Sequence, residues 1–92
     1  MTAKEKKAYE KWNREMTQKA DERDYQFKLM QSLFEEKGGG KASCSLEHNL
    51  FYLLSSSDEQ TRGRALTIYR KYFEADAQYM AMCDLAQAFA NI

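Results

Sequence analysis

The stretch EEKGGGKASCS, residues 35–45, decides the fold because it separates two long segments of helical character. Three consecutive glycines, Gly38 to Gly40, follow Lys37 at the point where the helical pattern stops. Glycine readily adopts the left-handed conformation that closes many helices, and a lysine suits the negative end of the helix dipole. The stretch therefore predicts the end of a helix, followed by a loop near residues 37–43.

The glycines and the lysine after them also resemble a phosphate-binding loop, but the neighbouring residues exclude one. That motif needs a glycine five residues before its second glycine, and a serine or threonine directly after its lysine. Here Glu35 occupies the first position and Ala42 follows Lys41, so the hydroxyl that would bind a metal ion is missing. We therefore predict no nucleotide cofactor, and no other cofactor is indicated.

The segment before the glycines has the spacing of an amphipathic helix. Thr2 and Glu5 have the spacing of a capping box, which predicts a helix from there towards Lys37. The apolar pattern thins between Lys19 and Asp24, so the segment is either one long helix or two helices with a joint there. The predicted stripe consists of Tyr9, Trp12, Met16, Ala20, Phe27, Met30 and Phe34, with Arg23 between them.

A short apolar helix is predicted after the loop, capped by Ser43 or Ser45. Its shared face consists of Leu46, Leu50, Leu53 and Leu54, with Phe51 beside them. A short strand through residues 51–54 is the alternative, because brief apolar runs fit both structures. Ser56 and Ser57 each have a capping-box partner three residues later, and either one predicts the start of a third element.

The third element is predicted to be a long helix with two apolar stripes. Gly63 weakens its first turns, and the small polar segment 74–78 is a candidate joint. One stripe runs through Leu66, Tyr69, Phe73, Ala77, Met80, Cys83 or Asp84, and Gln87, and the other runs through Ala65, Tyr72, Tyr79, Ala86 and Phe89.

Composition supports an all-α fold. The chain has no proline and no valine and is rich in Ala, Leu, Lys, Glu, Gln, Met and Arg, which favour helix. We predict one helical domain over residues 1–92, a small bundle in which a short apolar helix joins two long helices, each either continuous or broken once.

Charge and hydropathy exclude several classes of protein. Fourteen basic and fourteen acidic residues cancel, which argues against a histone-like protein and against a protein mimic of DNA. No apolar run approaches the ~20 residues that a membrane span needs. The N-terminus lacks the apolar core of a signal peptide, so a cytoplasmic protein with free Cys44 and Cys83 is expected.

Catalytic and metal-binding groups are sparse. The single histidine, His48, lies four residues after Cys44, but a zinc site would need two more ligands at suitable spacing. A nucleophilic cysteine would need a third orienting group and an oxyanion pocket. We therefore predict no metal site and no enzymatic activity.

Four basic residues near the start of the third element are the most prominent charge feature: Arg62, Arg64, Arg70 and Lys71. A helix-turn-helix presents side chains to DNA from this position, so a small DNA-binding transcriptional regulator using residues 45–73 is the alternative function. A contact with an RNA or DNA backbone is also compatible with these residues.

The apolar side chains outnumber those that three helices can bury. Six Tyr, five Phe, five Met and one Trp occupy several helical stripes. Tyr, Trp, Met and Arg are enriched at protein interfaces. This surplus predicts a docking surface, either for another protein or for a second copy in a homodimer.

In size and character, the chain resembles the small accessory proteins of bacteriophages. It is most similar to the anti-CRISPR inhibitors: short, neutral, helix-rich, and supplied with Tyr, Met and Arg. The resemblance covers the whole chain without a specific motif. It implies a host-cell inhibitor that docks on an RNA-guided surveillance complex and blocks its nucleic-acid binding, with Arg62, Arg64, Arg70 and Lys71 on the channel side.

Overall fold

The described part of the chain forms three α-helices, as the sequence predicts. The computed structural model describes residues 2–56 and 58–90, without the side chains of Ser56, Phe89 and Ala90. Helix α1 covers Ala3–Glu36, α2 covers Leu46–Ser56, and α3 covers Glu59–Ala90. The apolar run at 51–54 is helical, and the first connection spans residues 37–45. Within the described ranges, none of the helices combines the length and apolar character needed to cross a membrane.

The two long helices run antiparallel, side by side. Near one end the Phe27 and Tyr72 rings lie 6.4 Å apart, and towards the other end the Cys83 Sγ lies 3.8 Å from the Met16 Sδ. The molecule is correspondingly elongated, with extents of 56 × 21 × 19 Å. Helix α2 packs against both long helices at one end of this hairpin, where its leucines join the core.

The end of α1 shows why the glycines stop the helix. Gly38 has a φ of 84°, and its N–H donates to the carbonyl of Glu35. The Gly39 N–H donates to the carbonyl of Phe34, which completes a Schellman motif. A Cβ atom added to Gly39 would lie only 2.5 Å from Cε1 of the Phe34 ring. The triple glycine is therefore a helix cap packed against an aromatic ring.

The other helix ends are closed by short polar side chains. The Thr2 hydroxyl accepts a hydrogen bond from the Glu5 N–H at 3.2 Å, as predicted, and Ser45 accepts one from the His48 N–H at the start of α2. The prediction for α3 is corrected, because Ser56 is the last residue of α2 and Asp58 caps α3 by accepting from the Thr61 N–H at 2.8 Å. A carboxylate is a stronger acceptor than a serine hydroxyl and suits the positive end of the helix dipole. The alternative cap, Ser57, lies outside the described residues.

Neither long helix has the joint that its sequence allowed. The thin part of the α1 stripe contains Arg23, and the polar part of α3 contains Asp76. These two residues meet across the hairpin, with Arg23 Nη1 3.2 Å from an Asp76 oxygen. The guanidinium also lies 4.8 Å from the centre of the Tyr79 ring. Each helix is continuous, and the segment with the weakest apolar pattern in one helix is paired with that of the other.

Candidate functional site

The molecule divides into a head and an arm. We call residues 27–75 the head, because every buried hydrophobic side chain among the described residues lies between Met30 and Ala75. We call residues 3–26 together with 76–90 the arm, which consists of the two long helices alone. The head can therefore hold a surface rigidly, whereas the arm has only the seam between two helices.

Helix α2 is fixed in the head by apolar packing and by one buried polar residue. Its inner face is buried against α1 and α3 through Leu46, Leu50 and Leu53. Asn49 is fully buried, and its amide donates to the Ser43 carbonyl and accepts from the Ser43 N–H, both at 3.0 Å. The pair satisfies both backbone groups of Ser43 and ties the loop to α2.

The outer side of α2 carries the most exposed large apolar side chain in the described part of the protein. Phe51 is 64% exposed. It comes directly after Leu50 and two residues before Leu53, so it lies on a different side of α2 from these buried leucines. Leu66, which lies two turns into the adjacent helix α3, is 51% exposed. The sequence placed Phe51 beside the buried leucines but did not show that it points outward. Its angular offset from Leu46, Leu50 and Leu53 was the signal available.

The two predicted stripes of α3 have different surroundings. Among their described side chains, Ala65 is buried and Tyr72, Tyr79 and Ala86 are half-buried against α1. Of the other stripe, Leu66, Phe73 and Met80, spaced seven residues apart, are exposed, whereas Tyr69 is half-buried. The stripe that begins at Ala65 therefore faces α1, and the stripe that begins at Leu66 faces mainly outward.

A chain of aromatic rings connects the exposed stripe to the core. The Phe27 ring lies 6.4 Å from the Tyr72 ring, and the Tyr72 ring lies 5.7 Å from the Phe73 ring. Phe73 and Tyr69 make an edge contact at 4.6 Å, and Tyr69 packs against the core cluster that includes α2. The exposed stripe therefore lies on the same side of the hairpin as α2. We call this side the open face, because α2 covers only its head end.

The opposite side of the hairpin carries polar side chains near its middle. A shallow hollow of about 300 Å³ lies there between α1 and α3. Its lining consists of Lys19, Glu22, Gln26, Lys71, Glu74, Ala75 and Gln78. Mixed charges and amides of this kind are typical of a solvated surface rather than of a protein interface core.

The four predicted basic contact residues are all exposed but do not form one cluster. Arg64 and Lys71 are seven residues apart and share the side of α3 that borders the polar hollow. Arg62 lies one helical turn before Leu66, on the side of the exposed stripe. Arg70 Nε lies 3.9 Å from a Glu74 oxygen. The four basic side chains are therefore distributed around the start of α3 and do not share one side of the helix.

Asp58 adds a negative charge close to these basic residues. The Thr61 N–H and hydroxyl both donate to its carboxylate and lower its pKa, and the positive charges of Lys37 and Arg62 add to this effect. The carboxylate therefore occupies the N-terminal amide of α3, where a DNA phosphate could otherwise bind.

The contact between Arg23 and Asp76, where the arm meets the head, involves several further groups. Burial works against the charge of Arg23, but its hydrogen bonds to Asp76 and Asp24 outweigh burial and raise its pKa. Tyr79 donates towards Cys83, and this bond raises the pKa of the phenol. These groups are engaged with one another, as expected for a structural contact.

Cys44 and His48 lie in the head without a shared partner. Cys44 is exposed, and the His48 ring packs 6.2 Å from the Phe34 ring. Cys83 is in the arm, and both cysteines are free. Within residues 2–56 and 58–90, no group of three or more His, Cys, Asp or Glu side chains could hold a metal ion.

Comparison of the chain with protein-family models, with curated protein sequences and with solved structures finds no significant match.

Proposed function

We propose that the chain is a non-enzymatic binding protein that docks through its head on another protein and blocks a nucleic-acid-binding channel there. The observation that carries this proposal is the exposure of Phe51 on a helix that the core holds rigidly. Aromatic and arginine side chains supply most of the binding energy at protein interfaces. Phe51 and Leu66 are the apolar anchors in this proposal.

The rigidity of α2 supports a docking role for Phe51. The leucines on its inner face are buried, and Asn49 fixes its first turn to the loop. An anchor on such a helix is already ordered before binding, so little conformational entropy is lost when the partner covers it. Truncation of Phe51 should therefore weaken binding without loosening the fold.

Charge indicates the chemistry of the partner. Residues 60–73 contain four basic and no acidic side chains, so this part of α3 favours an acidic surface or a phosphate backbone. An RNA-guided complex offers both a protein surface and a bound nucleic acid. The resemblance to anti-CRISPR inhibitors makes such a surveillance complex the proposed target, with Arg62, Arg64, Arg70 and Lys71 along its channel.

The proposal is tested with a panel of purified RNA-guided surveillance complexes loaded with guide RNA. The protein should bind at least one complex directly and reduce its affinity for target DNA. Phe51→Ala should weaken this binding by about 10- to 100-fold, the range for an interface anchor. Tyr25→Ala is the matched control, since Tyr25 is 60% exposed on α1 and lies outside the proposed surface.

Duplex DNA alone separates this proposal from the alternative. A transcriptional regulator would bind the duplex without a protein target, and Arg62→Ala with Arg64→Ala would abolish binding and flatten its salt dependence. Binding to duplex DNA together with no binding to any complex in the panel would contradict the inhibitor and favour the regulator.

A further inference from the structure

We infer that the seam of the arm holds a binding site for a soft monovalent cation such as Cu⁺, between Met16 and Cys83. The Cys83 Sγ lies 3.8 Å from the Met16 Sδ across the two long helices. This pair of sulfur atoms from different helices defines the site, and the Met80 thioether is its third ligand. The inference goes beyond the proposed function, because the docking residues Phe51 and Leu66 belong to the head.

The sulfur side chains of the protein are concentrated at this point. The chain has five methionines and two cysteines, and three of these seven residues fall within residues 80–83, opposite Met16. Thioethers and thiolates are soft ligands that select Cu⁺, whereas zinc is bound by Cys, His and carboxylates. The part of the chain that the structure describes offers no group of three or more His, Cys, Asp or Glu side chains to a metal ion. The site therefore differs from the zinc site that the sequence argued against, because two of its three ligands are thioethers.

The separation of the two sulfur atoms fits one shared ion. Two metal–sulfur bonds of about 2.3 Å that span the 3.8 Å gap between them meet at the ion at an angle of about 110°. An ion bound by two sulfur atoms alone prefers a straight arrangement, which would hold them about 4.6 Å apart. The observed separation therefore leaves a position on the ion for a third ligand.

Met80 is placed to supply this third ligand. It lies three residues before Cys83 on α3, and side chains at this spacing are neighbours, with about 5–6 Å between their Cβ atoms. The Met80 side chain is 50% exposed, and its rotatable bonds allow the thioether to turn towards the seam. Because Met16 and Cys83 are half-buried, the exposed Met80 also gives the ion a route from solvent to the site.

Two neighbouring side chains favour a thiolate at Cys83. The Tyr79 phenol donates towards the Cys83 sulfur, and the Arg23 guanidinium lies 4.8 Å from the centre of the Tyr79 ring. A hydrogen bond to a ligand atom orients it, and a positive charge nearby stabilises a thiolate. On binding, the Cys83 thiol releases its proton to water. The thiolate and the two thioethers then each donate a lone pair, and the oxidation state of the ion does not change.

Competition with a chromophoric Cu⁺ chelator under oxygen-free conditions tests the site. The wild-type chain should take up one Cu⁺ ion from the chelator, and Cys83→Ser should remove this binding. Cys44→Ser is the matched control, because it removes the other free thiol and should leave the affinity unchanged. Met16→Leu keeps the side-chain volume and should weaken binding by at least about 10-fold. No uptake by the wild type, equal effects of the two cysteine variants, or an unchanged affinity in Met16→Leu would each overturn the inference.

X-ray absorption spectroscopy of the Cu⁺-loaded protein counts the ligands. The wild type should show three sulfur atoms at about 2.3 Å from the ion, and Met80→Leu should reduce this number to two. Met82→Leu is the matched control, because Met82 directly precedes Cys83 and adjacent residues do not share one side of a helix. Fewer than three sulfur ligands in the wild type would refute the site. This measurement needs no variant, so it decides the question even if Cys83→Ser does not fold.

The cation site and the proposed function can fail independently. The chelator competition uses the protein alone, and Phe51→Ala should leave its result unchanged, because Phe51 projects from the head. Conversely, Cys83→Ser tests the cation site without removing the docking residues. Uptake of Cu⁺ by a protein that binds none of the surveillance complexes would count against the proposed function alone.

Discussion

Substitution of Asn49 by alanine should be among the most destabilising single changes to a polar side chain in this protein. Asn49 is fully buried, and its two hydrogen bonds to the backbone of Ser43 are both 3.0 Å long. Asn49→Ala removes both bonds. The Ser43 carbonyl keeps a second donor, the Gln31 Nε2 at 3.3 Å, whereas the Ser43 N–H loses its acceptor.

The structure gives the magnitude of this loss. A backbone N–H without a partner in a partly buried site costs about 1–3 kcal/mol, and the lost bond to the still-partnered carbonyl costs about 0.5–1 kcal/mol. The expected destabilisation is about 1.5–4 kcal/mol, a large share of the roughly 5–15 kcal/mol by which a domain is stable.

Urea unfolding followed by far-ultraviolet circular dichroism measures this change. Gln31→Ala alone should cost less than about 1 kcal/mol, because Asn49 still satisfies the carbonyl. The double variant should lose more than the sum of the single changes, since the carbonyl then has neither donor. A loss below about 1 kcal/mol for Asn49→Ala would refute the reasoning that this pair holds the loop on α2.

The remaining predictions concern the helix ends and the contact between Arg23 and Asp76. Gly39→Ala should lower the free energy of unfolding by about 1–3 kcal/mol, because the new Cβ meets the Phe34 ring. Gly63→Ala is its control and should stabilise by about 0.5–1 kcal/mol, since nothing lies within 4 Å of the added atom. The lowered pKa of Asp58 means that its stabilisation is present above about pH 4 and is lost as the pH falls through the folded-state pKa. An Asp58→Asn variant should keep the cap but lose this part of the acid sensitivity of folding stability. An NMR titration of the wild type in which Asp58 titrates like an unstructured aspartate would contradict the lowered pKa. Arg23→Ala should lower the melting temperature, and the exchanged pair Arg23→Asp with Asp76→Arg should recover part of it. If the exchanged pair lowers the melting temperature as much as Arg23→Ala does, the ion pair contributes nothing to stability.

The sequence predicted the features that depend on short-range chemistry. The cap at Thr2, the helix stop at the glycines and the short apolar helix all follow from residues within a few positions of one another. The choice of Asp58 over Ser56 as the cap could not be predicted, because the exact end of α2 decides it. That end depends on how far the core holds α2, which is a tertiary effect.

The candidate site was less accessible to sequence reasoning. Periodicity identified two stripes on α3 but could not say which one faces α1, because both contain aromatic residues. The basic residues were read as one group from their proximity in sequence, whereas helical geometry separates Arg62 from Arg64 and Lys71. The exposure of Phe51 depends on which side of α2 meets the core, and only the packed structure shows this.

The contact between Arg23 and Asp76 also determines how the two long helices align. Along the arm, the rest of their seam consists mainly of Tyr, Met and Ala side chains, which distinguish less sharply between registers that differ by one heptad. Such a slip would move Arg23 opposite Tyr69 or Cys83 and leave it with Asp24 of its own helix as its carboxylate partner. The ion pair between Arg23 and Asp76 therefore favours one register of the hairpin, as polar residues do in coiled coils, in addition to the packed core of the head. The position of every side chain along the arm relative to the head depends on this register.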